Sequence, residues 1–104
     1  MQDSVKIQDK PSVLGEYSSF QEYLSKHLSH FEYMNLHTIL GYDSRVRIAR
    51  LLNKKSPWNF NELAETIKLL DNPILPSKLI EHFQVRHKLT EIELSVIDSF
   101  AIGG

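Results

Sequence analysis

The stretch Asp43–Ile67, DSRVRIARLLNKKSPWNFNELAETI, holds two helix starts, one helix stop and the densest run of positive charge in the chain. Asp43 and Ser44 are residue types whose side-chain oxygen accepts a backbone N–H at a helix N-terminus, where four donors otherwise lack a partner. They place a helix start at Ser44 or Arg45. At about 100° per residue, Ile48, Ala49 and Leu52 gather on one side of this helix, and Arg47, Arg50 and Lys54 line the other. Lys54 and Lys55 suit the negative end of the helix dipole, and Ser56-Pro57 stops it. Asn59, with Glu62 three residues on, then reads as a capping box, followed by Leu63, Ala64, Ile67 and Leu70 at helical spacing. The middle of the chain is therefore two amphipathic helices joined by a tight break.

Helical patterns continue on both sides. Phe20, Leu24, Leu28, Phe31, Met34 and Thr38 recur every three or four residues, which predicts one helix of about five turns from Ser18 or Ser19 to Gly41. Its second half is also apolar on the reverse side, at Tyr33, Leu36 and Leu40. A helix with two greasy sides either crosses the domain centre or meets a second subunit. Beyond the middle, Leu70-Asp71-Asn72-Pro73 is a turn, and Pro76 suits the first turn of another helix. That helix would bury Leu79, Ile80 and Phe83 and show Lys78, Glu81, His82, Gln84 and Lys88. Thr90 with Glu93 is a second capping box, so a last helix starts near Glu91, buries Val96, Ile97 and Phe100, and ends at Gly103-Gly104.

No alternating run is long enough to argue for a sheet. The fold expected is all-α, a compact bundle of about five helices over residues 18–104 with a helix-turn-helix-like centre. Met1–Tyr17 shows no sustained period and reads as a flexible, extended N-terminal arm.

A chain of 104 residues supports one hydrophobic core. With 41% hydrophobic and 24% charged residues it has the composition of an ordinary globular protein. A net charge of −1 means that any attraction to nucleic acid must come from a local patch. There is no cysteine, hence no disulfide and no thiolate metal site. The charged N-terminus lacks the apolar run of a signal peptide, and nothing in the sequence is apolar for long enough to span a membrane. A cytoplasmic protein is expected.

Few residues carry chemistry. There is no G-x-S-x-G elbow, no phosphate-binding glycine loop and no H-E-x-x-H, so no enzyme, cofactor or small-molecule substrate is expected. His27 and His30 lie three apart, but no third ligand has matching spacing, and His27 sits within the apolar stripe as a core-edge residue. Glu62 and Glu65 read as an exposed helix face with Lys68. Trp58, beside Phe60 in the break, reads as an aromatic plug between two helices or, alternatively, as a partner-binding hot spot.

VRIARLL followed by FNELAETI resembles the opening of winged-helix and other helix-turn-helix transcriptional regulators of bacteria. The likeness covers Asp43 to Phe83. It implies DNA binding, with the helix from Pro76 to Val85 entering the major groove. The link from Ile67 to Pro76 is longer than the usual tight turn, and no strand pair for a wing follows Lys88.

Two functions follow as expectations. In the first, the chain is a small DNA-binding regulator in which Arg45, Arg47, Arg50, Lys54 and Lys55 contact phosphates while Ser77, Lys78 and His82 reach bases. In the second it is an interaction module, an adaptor, inhibitor or subunit. That module would meet itself or another regulatory protein through the arm, the first helix and Tyr33, Leu36, Leu40 and Trp58, without nucleic acid.

Overall fold

The computed structural model describes residues 14–70 and 74–102. The described residues form seven α-helices: α1 Phe20–His27, α2 His30–Met34, α3 Leu36–Ile39, α4 Val46–Leu52, α5 Phe60–Leu69, α6 Pro76–Phe83 and α7 Glu91–Ile102. The fold is all-α. Among the described residues the only sheet-like feature is an isolated parallel bridge between Trp58 and His87.

The single long first helix is corrected to three short ones. Ser29 leaves helical geometry at φ −64° and ψ 158°, and its Oγ accepts the Glu32 N–H at 3.1 Å. The Glu32 carboxylate in turn accepts the Ser29 N–H at 3.0 Å, a reciprocal cap that restarts the chain as α2. The axis turns there, so the apolar stripe read across it does not stay on one face. Phe31 swings out to 70% exposure while Leu36 and Leu40 enter the core. α3 ends at Gly41, whose φ of 92° closes a left-handed stop in which the Tyr42 N–H reaches the His37 carbonyl at 2.8 Å.

α4 begins without a side-chain cap and ends in the same kind of stop, built on Lys54 at φ 61°. The Lys55 N–H donates to the Arg50 carbonyl at 2.8 Å, and the Lys54 N–H to that of Leu51 at 3.2 Å. α5 carries the expected capping box, with the Glu62 N–H 2.8 Å from Asn59 Oδ1 and the Asn59 N–H 2.9 Å from Glu62 Oε1. α6 opens on Pro76, as its fixed φ suits, but its cap comes from α7. Asp98 accepts the Ser77 N–H and the Ser77 hydroxyl, each at 2.8 Å. Thr90 and Glu93 cap α7 reciprocally, at 3.1 and 2.9 Å.

α5 and α6 both pack on α7. Ile97 faces inward with Leu94 and Phe100 half-buried, whereas Val96 turns outward. α1 closes the other side through aromatic rings. Phe20 lies 5.7 Å from Trp58 and 6.0 Å from Phe83, and Tyr23 lies 5.8 Å from Phe83. Such offset and edge contacts add to the apolar area these large rings bury. Trp58 is buried at the junction as a plug, offering nothing to a partner.

Most of the expected arm, residues 1–13, lies outside the described residues. Its last residues pack on the domain: Leu14 joins the core and the Tyr17 hydroxyl is 2.9 Å from His27 Nε2. Among the described residues no helix is long and apolar enough to cross a membrane.

Candidate nucleic-acid interface

The cationic stripe of α4 does not stand outward as a unit. Arg47 folds inward across the α4–α5 break, where its Nε lies 2.7 Å from Glu62 Oε2 and an Nη 3.0 Å from Oε1. This fork meets a carboxylate only 1% exposed, on an arginine 31% exposed. The Tyr42 hydroxyl donates to the same Glu62 Oε2 at 2.6 Å, and a third bond from Arg47 reaches the Pro57 carbonyl at 3.3 Å. Glu62 therefore ties together the end of α3, α4 and the cap of α5, and is not the exposed acid expected. Burial pushes its carboxyl up, but the Arg47 fork, the Tyr42 hydroxyl and the Asn59 N–H outweigh it, so Glu62 stays below the ordinary carboxylate value. The same carboxylate pushes the Tyr42 hydroxyl up, through the hydrogen bond first and burial second.

Arg47 is thus corrected from phosphate contact to structural strut. Ser77, occupied by Asp98, is corrected from base contact to helix anchor. Leu36, Leu40 and Trp58 are corrected from partner surface to core, and Tyr33 is half-buried with Gln21 donating to its hydroxyl at 3.3 Å. Ala49, expected on the dry face of α4, is exposed.

The remaining cations are regrouped by the bridge between two distant segments. The Trp58 N–H donates to the Arg86 carbonyl at 2.9 Å, and the Lys88 N–H donates to the Trp58 carbonyl at 2.9 Å. An Nη of Arg86 reaches the Lys54 carbonyl at 2.8 Å, and Arg50 Nε reaches Ser56 Oγ at 3.1 Å. Arg86-His87-Lys88 is thereby laid beside the turn that carries Lys54 and Lys55. Arg50, Lys54, Lys55, Arg86 and Lys88 are all exposed, and among the described residues none of the five is ion-paired.

Lys88, expected on the outer side of the helix from Pro76, lies beyond the end of that helix at Phe83; Arg86 had no helical spacing to mark it, and the placement of both depends on a bridge from a distant segment. Arg45 lies apart from this cluster, about 140° round α4 from Arg50, with an Nη 2.7 Å from the Met34 carbonyl. Lys78 and His82 are exposed on α6 beside Glu81.

No family model, curated protein or solved structure matches the chain. Its chemistry must be read from its own side chains. Among the described residues no three His, Cys, Asp or Glu side chains gather in a way that could hold a metal ion. What the two-segment cluster offers is five exposed cations without an acidic partner among the described residues, an arrangement suited to a run of phosphates.

Proposed function

We propose that this chain is a small cytoplasmic regulatory protein that binds duplex DNA. It would grip the phosphate backbone with Arg50, Lys54, Lys55, Arg86 and Lys88. The observation that supports the reading is the Trp58–Arg86 and Lys88–Trp58 backbone pairing, which joins two basic segments into one patch on a chain whose net charge is −1. A concentrated local patch on a nearly neutral molecule is a directed device rather than a general attraction to polyanions. α6 leads through Gln84 and Val85 to Arg86, and its exposed Lys78 and His82 would extend contact towards base edges. The role is binding and positioning, not catalysis.

The test is a titration of fluorescently labelled duplex DNA with the wild-type chain and with Lys55→Glu/Lys88→Glu. Neither lysine makes a side-chain hydrogen bond or ion pair among the described residues, so the fold is expected to survive. The double reversal is expected to lower affinity by more than about tenfold at low salt, since reversal both removes and repels phosphate contacts. Equal affinity would remove the patch from consideration.

A further inference from the structure

Phe31, Ile39, Val46, Ile92 and Val96 are the large apolar side chains exposed among the described residues, and two surfaces of opposite character stand out. A cleft of about 180 Å³ opens between α2, α3 and α4, and Phe31, at 70%, and Val46, at 65%, are exposed on α2 and α4 outside its lining. Phe31 stands one helical turn before Met34, and Val46 one turn before Ala49. Met34, Ile48, Ala49 and Leu52 line the cleft, Arg45 and His37 are its basic groups, and no carboxylate is among its lining residues. Arg45 spends one Nη on the Met34 carbonyl and is ion-paired with no acid among the described residues. A guanidinium has five N–H donors, so most of its fork stays available.

The second surface lies on the outer side of α7. Ile92, 77% exposed, and Val96, 40% exposed, stand one turn apart, with exposed Ser95 and Ser99 between their rows and exposed Glu91 at the edge. Glu91 makes no side-chain hydrogen bond or ion pair among the described residues. One surface is concave, apolar and cationic; the other is convex, apolar and anionic.

We propose that two copies of this chain associate by these surfaces. The outer side of α7 from one copy seats Ile92 in the α2–α4 cleft of the other, and Glu91 meets Arg45 at the rim. The cleft admits one branched aliphatic side chain, and seating Ile92 there removes it from water together with the half-buried Met34 and Leu52 of the lining. The carboxylate gives the unpaired guanidinium a two-pronged partner, which sets the orientation. Made in both directions, with the α7 of each copy in the cleft of the other, the contact is isologous and closes as a pair. The area is small, which places the contact among weak, concentration-dependent associations. None of these residues belongs to the proposed phosphate-binding patch, so this association and DNA binding succeed or fail independently.

Sedimentation equilibrium of the full chain without nucleic acid, from about 10 μM to about 1 mM, tests it. The expected result is an average mass that rises above the monomer with concentration. Ile92→Asp, Arg45→Glu and Glu91→Arg should each remove the rise, and Arg45→Glu/Glu91→Arg should restore it. Circular dichroism melts identify any variant that has lost its fold, and Ile92→Ser at the same exposed position serves in place of Ile92→Asp if that one has. A wild-type chain that stays monomeric throughout, an Ile92 variant that associates as the wild type does, or a charge-swapped double that fails to recover would each overturn the proposal.

Discussion

Arg47 Nε and Glu62 Oε2 lie 2.7 Å apart across the break between α4 and α5, and this pair separates the structural cations of the chain from the available ones. Removing one partner of such a pair leaves the other poorly solvated, which costs about 3 kcal/mol where the survivor is fully buried and less where water reaches it. Glu62→Ala, which strands a part-exposed arginine and also deletes the cap of α5, should lower unfolding free energy by about 2–4 kcal/mol in urea melts. Arg47→Ala should also destabilise, yet leave the affinity for DNA within about twofold at temperatures where the domain is folded, because the Arg47 fork is already engaged by the Glu62 carboxylate.

Glu62 also sets an acid dependence. Its carboxyl in the folded chain is held below the ordinary value of 4.5. A depressed folded value contributes stability that is present above the unfolded value and is lost as pH falls through the folded one. Melting temperature should therefore be level in this respect above about pH 5 and decline below 4.5. Glu62→Gln, less stable at neutral pH, should show a shallower acid decline. Parallel curves for the two proteins would mean that other carboxylates carry the acid response.

α6 depends on α7 for its N-terminal cap, since Asp98 holds both the Ser77 N–H and its hydroxyl. Asp98→Ala should cost about 1–2 kcal/mol, the range for losing a helix cap. Hydrogen exchange should quicken in the first turn of α6 before it quickens in α5, whose cap is its own.

Gln84 sits at φ 53° at the end of α6, a left-handed position in which a side chain is strained and glycine is not. Gln84→Gly should raise stability by about 0.5–1 kcal/mol in thermal melts, strain relief being partly offset by the greater freedom of glycine in the unfolded chain.

These relationships show what was legible in the sequence. The helices from Phe60, Pro76 and Glu91 are announced by neighbouring residues: Asn59 with Glu62, Pro76, and Thr90 with Glu93. The division of the first helical region was also written locally, in Ser29 and Glu32. It was masked because apolar residues happen to keep helical spacing through the break, and the periodicity outweighed the cap. Arg47 could not be read correctly from its own helix, because the acid that turns it inward lies 15 residues on and itself looked like a surface residue. The outward turn of Val96 has the same origin, since the packing of α5 and α6 decides which side of α7 is covered. The two-segment cluster was least accessible, because Arg86 and Lys88 join Lys54 and Lys55 only through the backbone of Trp58.

The most direct test of the phosphate-binding patch is the salt dependence of wild-type affinity for duplex DNA. Five cations engaging five phosphates give a plot of log K against log salt with a slope of about −4.5. A slope near that value, falling to about −3 or shallower for Lys55→Glu/Lys88→Glu, is the predicted result. A slope near zero, or no binding even at about 50 mM salt, would contradict the account.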